Sequence, residues 1–506
     1  MSRTRIVKGK ITEITGGTSR IFAKNIKINS GRSINYYAKN YTYGEPQDPP
    51  ASKYAEFDID FELNMDENTM VPFGILDCKN NIENPYFSFK YALRNDDIDS
   101  LGFKITDEEN EIIYQMGYLK PVIIQARKKP LVLFEAKKTT EGPLISKTWE
   151  YQKIFEPYVL TEPDYTKKGE YHLNWDGFDN DEIYDSTRFA GKKLKATITA
   201  TKGDIVKAKE IELEVSYSEV DWVDIKIDKT AKRIDVTLRV NLTDGGEIGL
   251  TCQTINANMY GTPARTVCDW DKIPTPIINP SDPIIKSRTR SFSDLEKLAL
   301  DGLNYHWGRN KNHAVAKNVN IGSDVFELYI KAVNTKKYTM NAVKLTYNTN
   351  SDWMRSGNPS EAKDVVSTFG KVISGQRIAY NIGYLNNVDW YEISKQNWYY
   401  EDEKKYKVDE NFSDTSAHEI GHTILQAYGG TEYSYTHAGT SYITQEVIKI
   451  SNGGKSYFHE LKTKGEIDLM YYYEDEPWPG NRDYAKYVAS EKDALSLIWL
   501  TKIKIS

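Results

Sequence analysis

The 506-residue sequence predicts a multidomain chain in which all-β modules precede a C-terminal α+β domain. Three observations carry that prediction. Alternation of apolar and polar residues with period two recurs through the first 220 residues, with turn signals between the runs. Tyrosine is abundant, at 36 residues, and Thr, Val and Ile are frequent, which favours strands. Helical periodicity enters at residue 293, interleaved with further strands. A chain of this length exceeds what one hydrophobic core normally serves.

Taken in order, residues 1–52 read as a small β module closed by the Pro-rich linker Glu45-Pro46-Gln47-Asp48-Pro49-Pro50. Residues 53–140 and 141–220 read as two β-sandwich domains. Phe57-Asp58-Ile59-Asp60-Phe61-Glu62-Leu63 and Lys195-Ala196-Thr197-Ile198-Thr199-Ala200 are representative strands. The acidic group Asp176, Asp179, Asp181 and Glu182 lacks EF-hand spacing and reads as a solvated turn. From 221 to 506 the pattern mixes. Arg233–Val240 alternates, Ser293 and Glu296 suggest a capping box, and Leu295, Leu298, Ala299 and Leu303 fit a helix. Strands are expected at Phe326–Ala332, Ala342–Tyr347 and Arg377–Ile382, and a last helix near Ser490 with Ala494, Leu495, Ile498 and Trp499 inward.

Bulk composition narrows the function classes. Hydrophobic residues at 39% and charged residues at 27% are ordinary for a soluble globular protein. A net charge of −6 carries no nucleic-acid footprint. No stretch approaches 18 apolar residues, so no membrane span is expected. The N-terminus shows no secretory signal, which implies cytoplasmic synthesis and, for any export, a non-classical route. Cys78, Cys252 and Cys268 are few enough to suggest reduced thiols, although Cys252 and Cys268 are able to pair.

The chemistry concentrates in His418-Glu419-Ile420-Gly421-His422, an H-E-x-x-H motif. On a helix, residues four apart lie about 40° apart around the axis, on one face. Both imidazoles then reach one Zn2+ ion, and Glu419 stands beside them to take a proton from a water the metal activates. Ser413 and Asp414 offer N-cap oxygens, and Gly429-Gly430 offer a C-terminal stop. A catalytic zinc needs a third protein ligand and an open position. The candidates are Glu432, His437, Glu446, His459 and Glu466. His437 is favoured, because the preceding glycines let the chain fold back toward the metal, and Glu446 is its main rival.

Three resemblances are carried by named runs of the sequence. Gly169–Gly177, with its Trp175-Asp176-Gly177 turn and a closing strand, resembles the immunoglobulin-like repeat of flagellar hook-capping proteins. The H-E-x-x-H and the downstream run Glu466-Ile467-Asp468-Leu469-Met470-Tyr471-Tyr472-Tyr473 resemble the metzincin class of zincin metallopeptidases. That resemblance implies a metzincin-like catalytic domain over 221–506, with Met470 beneath the zinc and Tyr472 as a fifth ligand or oxyanion stabiliser, Tyr433 and Tyr435 being alternatives. The match departs from the family pattern at Leu425, where glycine is usual, and in the 15-residue gap from His422 to His437. The opening Arg3–Ile14 and the block Ser416–Gln426 also resemble multidomain zinc peptidases of Bacteroidetes-type bacteria, some of which accompany contractile, type VI-like systems. That likeness implies a secretion-system partner docking on the N-terminal module, and a secreted effector or toxin.

The resulting expectation is a zinc endopeptidase acting on a protein or peptide, with His418, His422 and His437 as ligands and Glu419 as general base. Arg377–Asn381 is expected to pair with an extended substrate, and Pro477–Gly480 to wall a specificity pocket. The competing expectation is a structural or binding protein, adhesin-like or part of a secretion apparatus, whose zinc is non-catalytic.

Overall fold

Alternating sequence becomes hydrogen-bonded sheet along most of the chain. The computed structural model describes residues 56–65, 68–119, 124–126, 129–131, 165–257, 263–357, 377–388, 396–435, 464–471 and 479–505. The module expected at 1–52 lies outside these residues.

Strands Asp58–Leu63, Phe87–Arg94 and Gly169–Trp175 pair antiparallel in one sheet. A six-stranded sheet faces it, in the spatial order Thr69–Met70, Ile503–Ile505, Ile205–Tyr217, Lys192–Lys202, Ser100–Thr106, Ile112–Leu119. Phe89 of the first sheet meets Phe103 of the second, ring centroids 5.2 Å apart. Phe57, Phe87, Trp175 and Phe189 are buried in the same layer. Rings of this size each remove roughly 150–250 Å² from water, so they dominate its stability. At the expected Trp-Asp-Gly turn, Trp175 Nε1 donates to the Phe178 carbonyl at 2.9 Å. Gly177 is required there, since its φ is +80° and a Cβ would stand 2.7 Å from Met70. The acidic turn is committed to protein. Asp179 accepts the Asp181 and Ile183 N–H groups and pairs with Arg188, while Asp176 pairs with Lys229.

A third sheet of seven strands is built on the 16-residue strand Arg233–Ile248. Its first half pairs antiparallel with Val223–Asp228 and parallel with Asp324–Asn334. Its second half pairs parallel with Ala342–Asn348, which in turn pairs parallel with Arg377–Asn381. Ile234, Val236, Leu238 and Val240 alternate inward as their spacing requires.

The expected fold class is corrected by these pairings. The chain is mostly β, with three α-helices among the described residues. It does not divide into all-β immunoglobulin-like modules followed by an α+β zincin (metzincin-like) catalytic domain. Strands from both sides of residue 221 share sheets: Ile183–Asp185 pairs with Val223–Asp228, and the terminal Ile503–Ile505 pairs with Ile205–Tyr217. Period-two alternation identifies a strand but not its partner, so sequence alone assigned each run to its neighbours along the chain.

The helices are α1 (Phe292–His306), α2 (Val408–Tyr435) and α3 (Glu491–Trp499). The α1 cap sits earlier than expected. Ser291 Oγ accepts the Asp294 N–H at 3.1 Å, and the Asp294 carboxylate accepts the Ser291 N–H at 2.7 Å. Leu295, Ala299 and Leu303 are buried, so the predicted stripe holds. Ser490 caps α3, with Ala494, Ile498 and Trp499 inward as predicted. No helix among the described residues is long and apolar enough to cross a membrane. Cys252 and Cys268 lie directly opposite in an exposed hairpin and form a disulfide, where reduced thiols were expected.

Candidate metal centre

Helix α2 carries the H-E-x-x-H. It starts at Val408, just after Lys407, whose φ of 48° excludes it from the helix. Ser413 and Asp414 therefore lie inside the helix rather than at its cap. Arg290 pairs with Asp409 in the first turn, and the Tyr380 hydroxyl donates to the same carboxylate at 2.7 Å. Phe412, Ala417, Ile420, Ile424 and Leu425 form the buried stripe. Helices α1 and α2 approach closely where Gly302 crosses Ser413, and a Cβ at 302 would stand 2.2 Å from the Ser413 carbonyl oxygen. The helix breaks at Gly430, φ 86°, as the glycine pair predicts.

His418 and His422 share one face, their ring centroids 5.0 Å apart and nearly perpendicular. His418 Nδ1 lies 2.8 Å from the Leu469 carbonyl oxygen. His422 Nδ1 lies 3.1 Å from the Ser434 carbonyl oxygen. A carbonyl only accepts, so each Nδ1 carries the proton and each Nε2 carries the lone pair. That tautomer, held by a backbone carbonyl, is the one a metal-ligating histidine needs. The turn after Gly430 supplies Ser434, whose hydroxyl also donates to the His422 carbonyl at 2.7 Å.

The methionine turn lies against the same helix. Ile467–Asp468 pairs with Tyr487–Val488, and the Asp468 carboxylate accepts the Met470 N–H at 2.9 Å. Met470 is buried under Gly421, between the two histidines. A Cβ on Gly421 would stand 2.7 Å from the Met470 sulfur and 2.8 Å from the Trp307 ring. Trp307 is fixed in turn by its indole N–H, which donates to the Ala417 carbonyl at 3.1 Å.

His418 and Glu419 open onto a cleft of about 430 Å³ that Arg355, Tyr399, Glu401 and Tyr471 also line. That volume lies within the range of small-ligand and peptide-side-chain sites. Burial pushes the Glu419 carboxyl up to about 7, against the opposing charge of Arg355. Burial also holds the His418 imidazole below the ordinary histidine range, partly offset by its bond to Leu469. Both shifts suit metal-assisted hydrolysis, since a neutral imidazole offers a lone pair and a base near neutrality accepts and returns a proton.

Among the described residues no three His, Cys, Asp or Glu side chains converge to hold a metal. The structure brings two predicted ligands together, and the favoured third, His437, lies outside the described residues, as do Glu446, His459 and Tyr472. The Glu432 and Tyr435 side chains are likewise not described. Glu466 is engaged elsewhere: both its oxygens accept from Arg309 at 2.7 Å. Tyr433 packs against Tyr428 beside Gly429, and it is not among the residues lining the cleft. The edge of Arg377–Asn381 expected to receive substrate is covered by its own chain. Gly357 N–H donates to the Arg377 carbonyl, and the Ala379 N–H donates to Ser356 Oγ. Of the expected Pro477–Gly480 wall, Pro479 lines the cleft, while Pro477 and Trp478 lie outside the described residues. Arg355, Tyr399 and Glu401 carry no motif, and the sequence offered no signal for them.

Comparison with known proteins adds no identity. No family model matches the sequence, and no curated protein matches it. Among solved structures, the β-glucuronidase of Bifidobacterium dentium complexed with coumarin-3-O-glucuronide is similar at 7% identity and a TM-score of 0.14, over 38% of this chain. The match spans 22% of that protein's length. At that score the likeness carries no argument about fold or activity.

Proposed function

We propose that this protein is a zinc-dependent peptidase whose centre is His418, Glu419 and His422. The observation that carries the reading is the pair of backbone carbonyls, of Leu469 and Ser434, that orient both imidazoles with Nε2 as the lone-pair nitrogen beside a cleft-lining carboxylate. Two neutral imidazoles in this arrangement suit a borderline-soft ion such as zinc. His437 is the third ligand in this reading, and the described chain has returned to His422 by Ser434, three residues short of it. Bound there, zinc supplies Lewis acidity toward a carbonyl oxygen and lowers the pKa of a water.

The chain's own residues supply the rest. Glu419, raised to about 7, takes the proton of the attacking water and passes it to the departing amine nitrogen. Arg355, whose charge reaches His418 and Glu419, stabilises negative charge developing on the scissile carbonyl oxygen. Met470 and Trp307 clamp Gly421 and so hold the spacing of the two imidazoles.

The test is Glu419→Gln. The variant is expected to fold and keep one zinc per chain, and to lose at least roughly a hundredfold in cleavage of a general peptide substrate. Parental cleavage by the variant would overturn the reading, and a parent that binds no zinc would remove its basis.

A further inference from the structure

Glu401 ends the strand Gln396–Glu401 and lines the same cleft as His418 and Glu419. It is 9% exposed. A carboxylate this enclosed normally has a cationic partner, because desolvating the charge is costly. Among the described residues Glu401 has none. Burial dominates its environment and raises its carboxyl, and the group that relieves it is the nearby Tyr399 hydroxyl. Arg355 and Arg482 line the cleft as well, but no ion pair joins either to Glu401 among the described residues, and the Arg355 charge acts on His418 and Glu419. The walls beside Glu401 include Tyr399 and Tyr406. Aromatic faces of this kind cover an aliphatic stem or stack on a guanidinium.

We propose that Glu401 is a specificity residue that receives a cationic group of the substrate, a primary amine or guanidinium, in the cleft beside the H-E-x-x-H centre. The proposal rests on the reading of this cleft as the peptide-binding site of a zinc peptidase. A bound cation supplies the partner that Glu401 does not have among the described residues, stabilises its ionised form, and discriminates against neutral isosteres. The same chemistry is offered by a Lys or Arg side chain or by a free N-terminus.

The experiment uses the full chain carrying Glu419→Gln, so that binding is read without turnover. The probes are fluorescein-labelled octapeptides: acetylated with a central Lys or Arg, acetylated with norleucine or citrulline in that place, and the norleucine peptide with a free N-terminus and the label at its other end. The expected result is roughly tenfold to hundredfold tighter binding of a cationic probe than of its neutral twin. Adding Glu401→Gln, which keeps the side chain's shape, is expected to abolish the difference between each cationic probe and its neutral twin. Preference for the Lys and Arg peptides identifies a side-chain cation, and preference for the free N-terminus alone identifies the terminal amine. Equal binding of cationic and neutral probes overturns the proposal without recourse to any Glu401 variant, and a preference that survives Glu401→Gln also overturns it. Charge preference, together with no cleavage of the same peptides by the parent chain that retains Glu419, leaves Glu401 standing and removes the peptidase reading. Cleavage without charge preference does the reverse.

Discussion

Gly421→Ala sets two effects of opposite sign against each other. Helix propensity favours the change, since alanine in a helix interior is about 1 kcal/mol better than glycine. Packing opposes it. The new methyl would stand 2.7 Å from the Met470 sulfur and 2.8 Å from a Trp307 ring carbon, and both side chains are fully buried. Overfilling a close-packed site costs about 1–3 kcal/mol. The thioether has rotamers with which to yield, but the indole is held by its 3.1 Å bond to Ala417 and has no free direction. Packing therefore wins, with a net loss of about 1–2 kcal/mol, read as a lower urea midpoint at unchanged slope. Because residue 421 lies between the two histidines, the proposed zinc centre adds a second expected outcome: metal affinity measured by chelator competition falls with it. A second arm isolates the contact. Met470→Ala alone costs about 2–5 kcal/mol, and combined with Gly421→Ala it relieves part of the clash, giving a favourable coupling of about 0.5–1 kcal/mol. A Gly421→Ala protein as stable as its parent, or strictly additive variants, would refute the packing argument.

Two further outcomes follow from buried charge. Arg309, 5% exposed, donates to the Asn318 and Ala489 carbonyls and to both oxygens of Glu466, tying the methionine turn to the segment before α3. Arg309→Met is expected to cost about 3 kcal/mol, the low end for a broken buried pair because Glu466 is 39% exposed and can rehydrate; a thermal midpoint shift of under one degree would contradict it. Glu401 titrates at about 7 in the folded chain against an ordinary 4.5, through burial. Below about pH 4.5 both states hold its proton, and between 4.5 and 7 the unfolded state releases the proton first, so stability falls as pH rises through that window. Glu401→Gln removes this slope and is more stable than the parent at pH 8, which urea unfolding at pH 4.5, 6 and 8 checks.

Much of the local structure was legible because it is local. Arg233–Val240 and Phe326–Ala332 alternate and are strands; Leu295, Ala299 and Leu303 recur at helical spacing and are buried on one face. The glycine pair at 429–430 signalled the break in α2, since Gly430 adopts a φ that side chains disfavour. Caps were less legible. Ser293 and Glu296 fit the capping pattern, but Ser291 and Asp294 satisfy it, because only one frame leaves the first-turn N–H groups facing the side-chain oxygens. Likewise Ser413 and Asp414 look like a cap but lie in the second turn, since the Arg290–Asp409 pair extends the helix upstream.

Five residues at helical spacing were enough to place two imidazoles on one face with a carboxylate beside them, and period two was enough to mark most strands. Those outcomes depend on backbone geometry within a turn or a pleat. Which strands share a sheet, that Leu469 and Ser434 turn their carbonyls to His418 and His422, and that Glu401 lines the same cleft as Glu419 were decided only when segments a dozen to hundreds of residues apart packed together. Such contacts follow from burial and from backbone groups that must each find a partner, and neither leaves a periodic trace in the sequence.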